Sequence, residues 1–364
     1  MIRIEPREAP SRRLTVGIPI ASAMLALLLA AIPLSWAGAN IGEAYQEMAK
    51  GIFGSVFAFT EMLTRATPLI FTGLAATLAF RAKLWNIGAE GQLYLGAMAA
   101  VAVGTGWITG PPLLLIPMIL IAGAMAGALG MAGPAYLKTR FGADEVVTTL
   151  LLNFIILIFI QMMLEGPLKD PMGMGWPQSS PVVDNAILPQ ILPRMRLHYG
   201  LVIALTAAVI AHIMLSKSVW GLKLRAVGEN AAAALHAGIG VKRTLMSAAL
   251  ISGALAGLAG VSEVAGLRGY LTTDLSPGYG YTGIVVAMLA GLSPLGVVLA
   301  ALFIASVFVG ADTMSRAMGV SSYLADLVVS MALICVLIGG FIARFTIKIT
   351  PANKKVSTTD TGAA

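Results

Sequence analysis

The chain has 364 residues, of which 58% are apolar and only 11% charged, with a net charge of +7 and a mean hydropathy of +0.87. Soluble domains carry about 25% charged residues, so two soluble domains are excluded, and a nucleic-acid binder is excluded too, because Lys and Arg sit at the ends of long uncharged runs and form no continuous patch. This is the composition of an all-α polytopic membrane protein, and its 40 glycines suit helices that approach one another closely.

A bilayer span needs about 20 apolar residues. Residues 14–38 form the first candidate, after a tail at 1–13 that holds Arg12 and Arg13. Ala37, Gly38 and Ala39 look like a signal-peptidase site, but the apolar run is far longer than the usual 7–15 residues, so it reads as a retained helix. Residues 52–80 form the second span, interrupted by Glu61, Arg65 and Pro68 and therefore expected to be broken or kinked. Residues 87–107, 112–136 and 145–164 are the next three. A loop rich in Pro and Met follows at 165–198 and is expected outside. Residues 199–216 are the sixth span, 217–243 a second polar loop, and 244–267 the seventh span. Residues 281–292 are too short to cross as a regular helix, and with 295–310 they read as a pair of short or broken helices. Residues 323–344 are the tenth span, before a polar tail at 346–364 expected to be mobile. The membrane domain thus covers 14–345.

Ten spans put both ends on one side. Most of the 24 Lys and Arg residues fall in the segments that this arrangement places inside, and the positive-inside rule then puts both termini in the cytoplasm. An eight-span reading with two re-entrant pairs gives the same ends. The breaks at 85–92 and 278–295 occur one in each half, the pattern of an inverted repeat around a midplane site.

No motif for chemistry is present. There is no Walker sequence, no H-E-x-x-H and no G-x-S-x-G, so the chain has no ATP site or hydrolase site of its own. Gly278, Gly280 and Gly283 spell G-x-G-x-x-G, but no strand precedes them. Gly123/Gly127 and Gly253/Gly257 read as small-residue packing faces. Cys335 is the single cysteine, so no intrachain disulfide forms, and the scattered His198, His212 and His236 make no metal cluster.

Polar residues within the apolar sequence are more informative, because burying them in a membrane is costly. Asn86, Glu90 and Gln92 lie between two apolar stretches, beside Trp85 and with Gly88 and Gly91 among them. They suit either a solute path or a surface loop in which Glu90 caps the next helix. Glu61 and Arg65 stand at i and i+4 and can pair on one helix face. Asn153 could line a path or bond across helices. Glu263, Asp312 and Asp326 fall near predicted helix ends and are expected to be solvated. In the second polar loop, residues 229–237 read as a short Ala-rich helix, with Glu229 at its N-terminal dipole, His236 in its last turn and Gly238 as its stop.

Four ordered stretches resemble bacterial ABC-importer permeases for nucleosides and simple sugars. Leu84 to Gln92 (Leu-Trp-Asn-Ile-Gly-Ala-Glu-Gly-Gln) resembles the first signature, and Gly142 to Asn153 the second. Leu224 to Asn230 with Ala237 to Ile239 resembles the third, and Gly280 to Gly291 the fourth. Trp85 stands where the family commonly has Phe, and Asp144 where it has Asn. The resemblance, which runs from about residue 55 to 345, implies the fold of the branched-chain amino acid and sugar permeases: about ten spans with broken helices around the path. It implies a permease in a bacterial inner membrane, working with a second permease chain that is a different paralogue, an ATPase subunit that binds ATP and Mg, and a substrate-binding lipoprotein or periplasmic protein. Trp85, Asn86, Glu90, Gln92, Asn153 and Glu61 then become path residues. Arg225, Gly228, Glu229, Asn230, His236 and Gly238 become the segment that couples to the ATPase.

Overall fold

In a computed structural model, residues 2–6, 12–106 and 108–349 are described. In chain order the elements are β1 (Ile2–Pro6), α1 (Arg12–Trp36), α2 (Ile41–Phe53), α3 (Val56–Arg81), α4 (Ala89–Gly104), α5 (Pro112–Phe141), α6 (Glu145–Glu165), α7 (Gly200–Lys217), α8 (Val219–Glu229), α9 (Ala231–His236), α10 (Val241–Glu263), α11 (Tyr279–Leu289), α12 (Pro294–Met318), α13 (Ser322–Arg344) and β2 (Phe345–Ile349). Among the described residues, seven helices are long and apolar enough to cross a membrane, and α1 and α11 carry shorter apolar stretches. Each of the ten predicted spans contains one helix. Trp107, the expected end of the third span, lies outside the described residues, as do Arg7, Lys354 and Lys355.

Local chemistry sets the boundaries. Asn40 caps α2 by accepting from the amides of Gly42 and Glu43, Ser55 caps α3, and Asp144 caps α6 through Val146 and Val147. An oxygen side chain at this position satisfies amides that have no partner in the helix. Pro112 and Pro294 open α5 and α12 in the first helical turn, where the missing N–H is no loss.

Four expectations are corrected. The second span is not broken: α3 runs continuously through Pro68. Threonine hydroxyls of Thr64, Thr67 and Thr72 donate to carbonyls four residues back, and such local bonding lets membrane helices tolerate proline. Residues 295–310 are not a broken piece, because α12 is 25 residues long; only α11 is short. The polar loop at 217–243 is mostly helical, with α8 and α9 meeting at Asn230. Finally, Phe345–Ile349 is a strand, antiparallel to Ile2–Pro6 with Ile2 opposite Ile349 and Pro6 opposite Phe345. The two ends of the chain therefore lie on one side.

α3 is the centre of the bundle, buried along nearly its whole length and packed against α7, α10, α11 and α12. Between α5 and α10 the backbones come into contact through glycine. A Cβ at Gly257 would fall on the carbonyl of Gly123, and one at Gly127 on the carbonyl of Gly253. The packing-face reading of these glycines is thus borne out. The G-x-G-x-x-G stretch is also packing: Gly280 touches the backbone of Glu90 and Gly283 touches Thr72.

One face of the bundle carries Arg81, Lys138, α8 and α9. The opposite face carries the 166–199 segment, which is pinned to the ends of α4 and α10 by backbone bonds from Val183 to Gly104 (2.8 Å), Val182 to Gly269 (2.8 Å) and Leu188 to Ala265 (2.7 Å).

Candidate functional site

The two interrupted segments, far apart in sequence, meet inside the protein. Residues 82–88 leave α3 and climb beside α6 in three steps. Trp85 N–H donates to the Glu145 carboxylate (3.3 Å), Ile87 N–H to the Thr149 hydroxyl (3.3 Å), and Gly91 N–H to Asn153 Oδ1 (2.9 Å). The acceptors are spaced by four residues, so they form one stripe along the helix. From the opposite face, residues 269–278 descend until Tyr94 pins them. Its hydroxyl donates to the Thr273 carbonyl (2.7 Å) and accepts from Ser276 N–H (3.2 Å). The α4 and α11 N-termini then lie together, and Glu90, in the first turn of α4, accepts from Gly280 N–H of α11 at 2.6 Å. One carboxylate thus serves the positive ends of two helices, each equivalent to about half an elementary charge.

Around this junction the polar side chains satisfy one another. The Asn86 amide donates to Gln92 Oε1 (2.9 Å) and to the Ser252 hydroxyl (3.0 Å), and accepts from Gln92 Nε2 (3.0 Å). Asn153 Nδ2 donates to the Ile87 carbonyl (2.9 Å) and to Tyr281 Oη (3.1 Å). Asn86, Glu90, Gln92 and Asn153 are all buried. Trp85 is half exposed and packs against Phe80, ring centroids 4.6 Å apart.

Above this network, toward the 166–199 segment, lies a polar cavity of about 500 Å³ floored by Pro277 and Tyr279 at the start of α11. Arg65 pairs with Asp312 of α12 at 2.6 Å and reaches Glu61 at 4.0 Å; Arg196 pairs with Glu61 at 3.6 Å, and Arg268 with Asp274 at 3.7 Å. The i,i+4 pair of Glu61 and Arg65 therefore exists but is one part of a larger cluster. Of the three carboxylates expected to be solvated, only Asp326 is exposed; Asp312 is held in an ion pair, and Glu263 is buried. The sequence hid this because α10 continues past Glu263 into a π-helical turn, Val264–Arg268, which carries the helix end outward and leaves Glu263 inside.

On the basic face, α8 docks onto the end of α3. A Cβ at Gly228 would fall on the Arg81 carbonyl, Lys83 donates to the Glu229 carbonyl at 3.5 Å, and Trp220 to Ser247 at 2.9 Å. Asn230, not Glu229, caps α9, accepting from Ala233 N–H at 3.0 Å. Glu229 closes α8 instead, its side chain exposed, as is that of Arg225. His236 bonds to the Ala232 carbonyl, and Gly238 takes φ +80° to end the turn. α9 stands out from the bundle with Leu235 62% exposed.

The family model described as branched-chain amino acid transport system / permease component matches residues 58–337. The chain belongs to this family. The permease is 38% identical to the guanosine ABC transporter permease protein NupP of Bacillus subtilis, over 88% of this chain and 92% of that one. It is 33% identical to the glucose ABC transporter permease protein TsgB13 of Haloferax volcanii, over 96% and 94%. It is 32% identical to the nucleoside ABC transporter permease protein NupB of Lactococcus lactis, over 83% and 85%. No solved structure matches. The permease is thus a multi-pass membrane protein whose four signature stretches are brought to two places. The first, second and fourth build the interior junction, and the third forms the second half of α8 and brackets α9. Asp144, where the family commonly has Asn, keeps the capping role. Among the predicted path residues, the structure groups Asn86, Glu90, Gln92 and Asn153 at the junction and places Glu61 apart, on the cavity.

Proposed function

We propose that this permease is the membrane pathway of an ATP-driven nucleoside importer in the cytoplasmic membrane. The observation that carries the reading is the meeting of two half-helices inside the bundle, at the floor of an open polar cavity. Broken helices that end at mid-depth beside a cavity are how transporters bring polar backbone to a solute. The relatives named for guanosine and nucleosides supply the solute class. By the positive-inside rule, the face with α8 and α9 is cytoplasmic, as are both termini, and the cavity and the 166–199 segment face outward.

In this reading the chain is no enzyme. ATP and Mg are bound by a separate ATPase subunit, a second permease chain completes the pathway, and a substrate-binding lipoprotein or periplasmic protein delivers solute to the outer cavity. α9 enters the ATPase, and α8 passes its displacement to the end of α3 and to residues 82–88 through Gly228 and Lys83.

The test is uptake of labelled guanosine by cells with and without the gene, with and without ATP depletion, in competition with unlabelled nucleosides, nucleobases and ribose. Gene-dependent, ATP-dependent uptake blocked by nucleosides and not by ribose is expected. A second reading, a simple-sugar permease, is favoured by the identity to the glucose permease protein over nearly the whole chain; blocking by ribose alone would establish it. Uptake that survived ATP depletion would sink both.

A further inference from the structure

We infer that Glu263 is the residue of the outer cavity that receives the vicinal hydroxyls of the nucleoside ribose; this rests on the nucleoside reading above. Its residue is 2% exposed, and it lines the cavity. Among the described residues, every guanidinium of the cavity lies within ion-pair distance of another carboxylate: Arg65 of Asp312, Arg196 of Glu61 and Arg268 of Asp274. Among the described residues the Glu263 carboxyl group makes no ion pair and no hydrogen bond and feels the more distant charges of Arg268 and Arg65; on the same cavity one oxygen of Glu61, Oε2, is also without a partner. The phenol of Tyr279, also buried and on the cavity, makes no hydrogen bond either.

A buried carboxyl group without a partner is destabilising. Among the described residues Glu263 holds no backbone amide and bridges no helices, so only the more distant charges of Arg268 and Arg65 offset part of that cost. What it offers is a carboxyl group, able to exchange hydrogen bonds with two adjacent hydroxyls, on a cavity of about 500 Å³, within the range of small-molecule sites. The solute it suits is neutral and presents two adjacent donors. Nucleosides differ in the donors of their bases, whereas all ribonucleosides share the 2′,3′-diol. An acceptor that serves the whole class must take the shared part. The π-helical turn that follows Glu263 is the kind of irregularity found at functional sites, and here it is what keeps the carboxyl group on the cavity.

The experiment compares uptake of guanosine with uptake of 2′,3′-dideoxyguanosine by the complete importer in cells, normalised to the amount inserted. The wild type is expected to favour guanosine. Glu263→Gln keeps the size of the side chain and removes one of the two acceptors. It is expected to lower the preference about two- to tenfold, the worth of one net hydrogen bond. Glu263→Asp, which keeps the carboxyl group but shortens the reach, is expected to lower it as well and stands in if the Gln variant fails to insert. Equal loss of both solutes, or an unchanged preference, overturns the assignment while leaving nucleoside import standing. A change confined to the ratio of guanosine to inosine, which differ only in the base, also overturns it. Absence of any nucleoside uptake in the wild type overturns the function and the subsite together.

Discussion

Single residues at the interior junction tolerate little change. A Cβ at Gly280 would fall on the backbone of Glu90, and backbone cannot swing aside as a side chain can. Gly280→Ala is expected to cost about 1–3 kcal/mol, the range for overpacking, read as a lower thermal midpoint of the purified protein; an unchanged midpoint would mean that α4 and α11 part easily. Asn153→Leu keeps the branched shape but strands the Gly91 amide and the Ile87 carbonyl, each worth about 1–3 kcal/mol when left unpaired. That variant should be poorly inserted, and full insertion would argue against a structural role. His198 gives the pH dependence. Its ring packs on Gly266, its Nδ1 accepts from Gly200 N–H at 3.1 Å, and its Nε2 has no partner. Burial pushes its pKa down from 6.5 to about 4. Between these values the unfolded chain binds a proton that the folded chain does not. This contribution is therefore complete above about pH 6.5 and is lost as pH falls toward 4, by at most about 3 kcal/mol. Thermal midpoints at about pH 7.5 and pH 4.5 should differ less in His198→Gln than in the wild type; an equal difference would assign the effect to other groups.

At the level of elements, the coupling proposed above runs through the paired helices α8 and α9, which touch the end of α3 at Arg81 and Lys83. Glu229→Lys reverses a charge on the exposed corner between them. It is expected to insert normally and to lower ATP-dependent guanosine uptake by about tenfold or more, within the range of coupling energies between sites. Normal uptake would remove Glu229 from the coupling segment. These elements also show what the sequence made legible. Long apolar runs gave eight of the ten helices to within about five residues, because one property, length, decides them, whereas 295–310 stopped well short of the end of α12. The short α11 was legible from its Gly and Pro borders. α2 was not: Glu43, Glu47 and Lys50 interrupt any apolar run in its sequence, and it packs along α12 as an amphipathic helix with Ala44, Met48 and Gly51 buried. Nor was α8, since Lys223 and Arg225 gave residues 217–228 the look of a loop. At the site, the residues of the junction were legible as polar groups in apolar sequence, but their partners were not. Glu90 and Gly280 are 190 positions apart, and nothing local to either names the other. Glu263 was misjudged for a similar reason, because the turn that buries it departs from regular helix geometry.

The whole molecule has two unlike faces, and this can be read without knowing the solute. Met172, 88% exposed, lies on the face of the cavity, and Leu235, 62% exposed, on the face of α9. In a Cys335→Ser background, which removes the lone native thiol, Met172→Cys is expected to react with an impermeant maleimide on intact cells and Leu235→Cys only after the membrane is opened. The reverse pattern would invert the topology. The ribbon that joins β1 and β2 has a further use. Because both strands emerge side by side from the same face, the end of one copy can be joined to the start of another by a short soluble linker, with both copies still inserted in the same sense. A tandem polypeptide of this kind would fix the pairing of permeases genetically. If it transports when made from two copies of this chain, one gene suffices for the pathway; if it transports only when the second half comes from a different permease, the pathway is built from unlike halves.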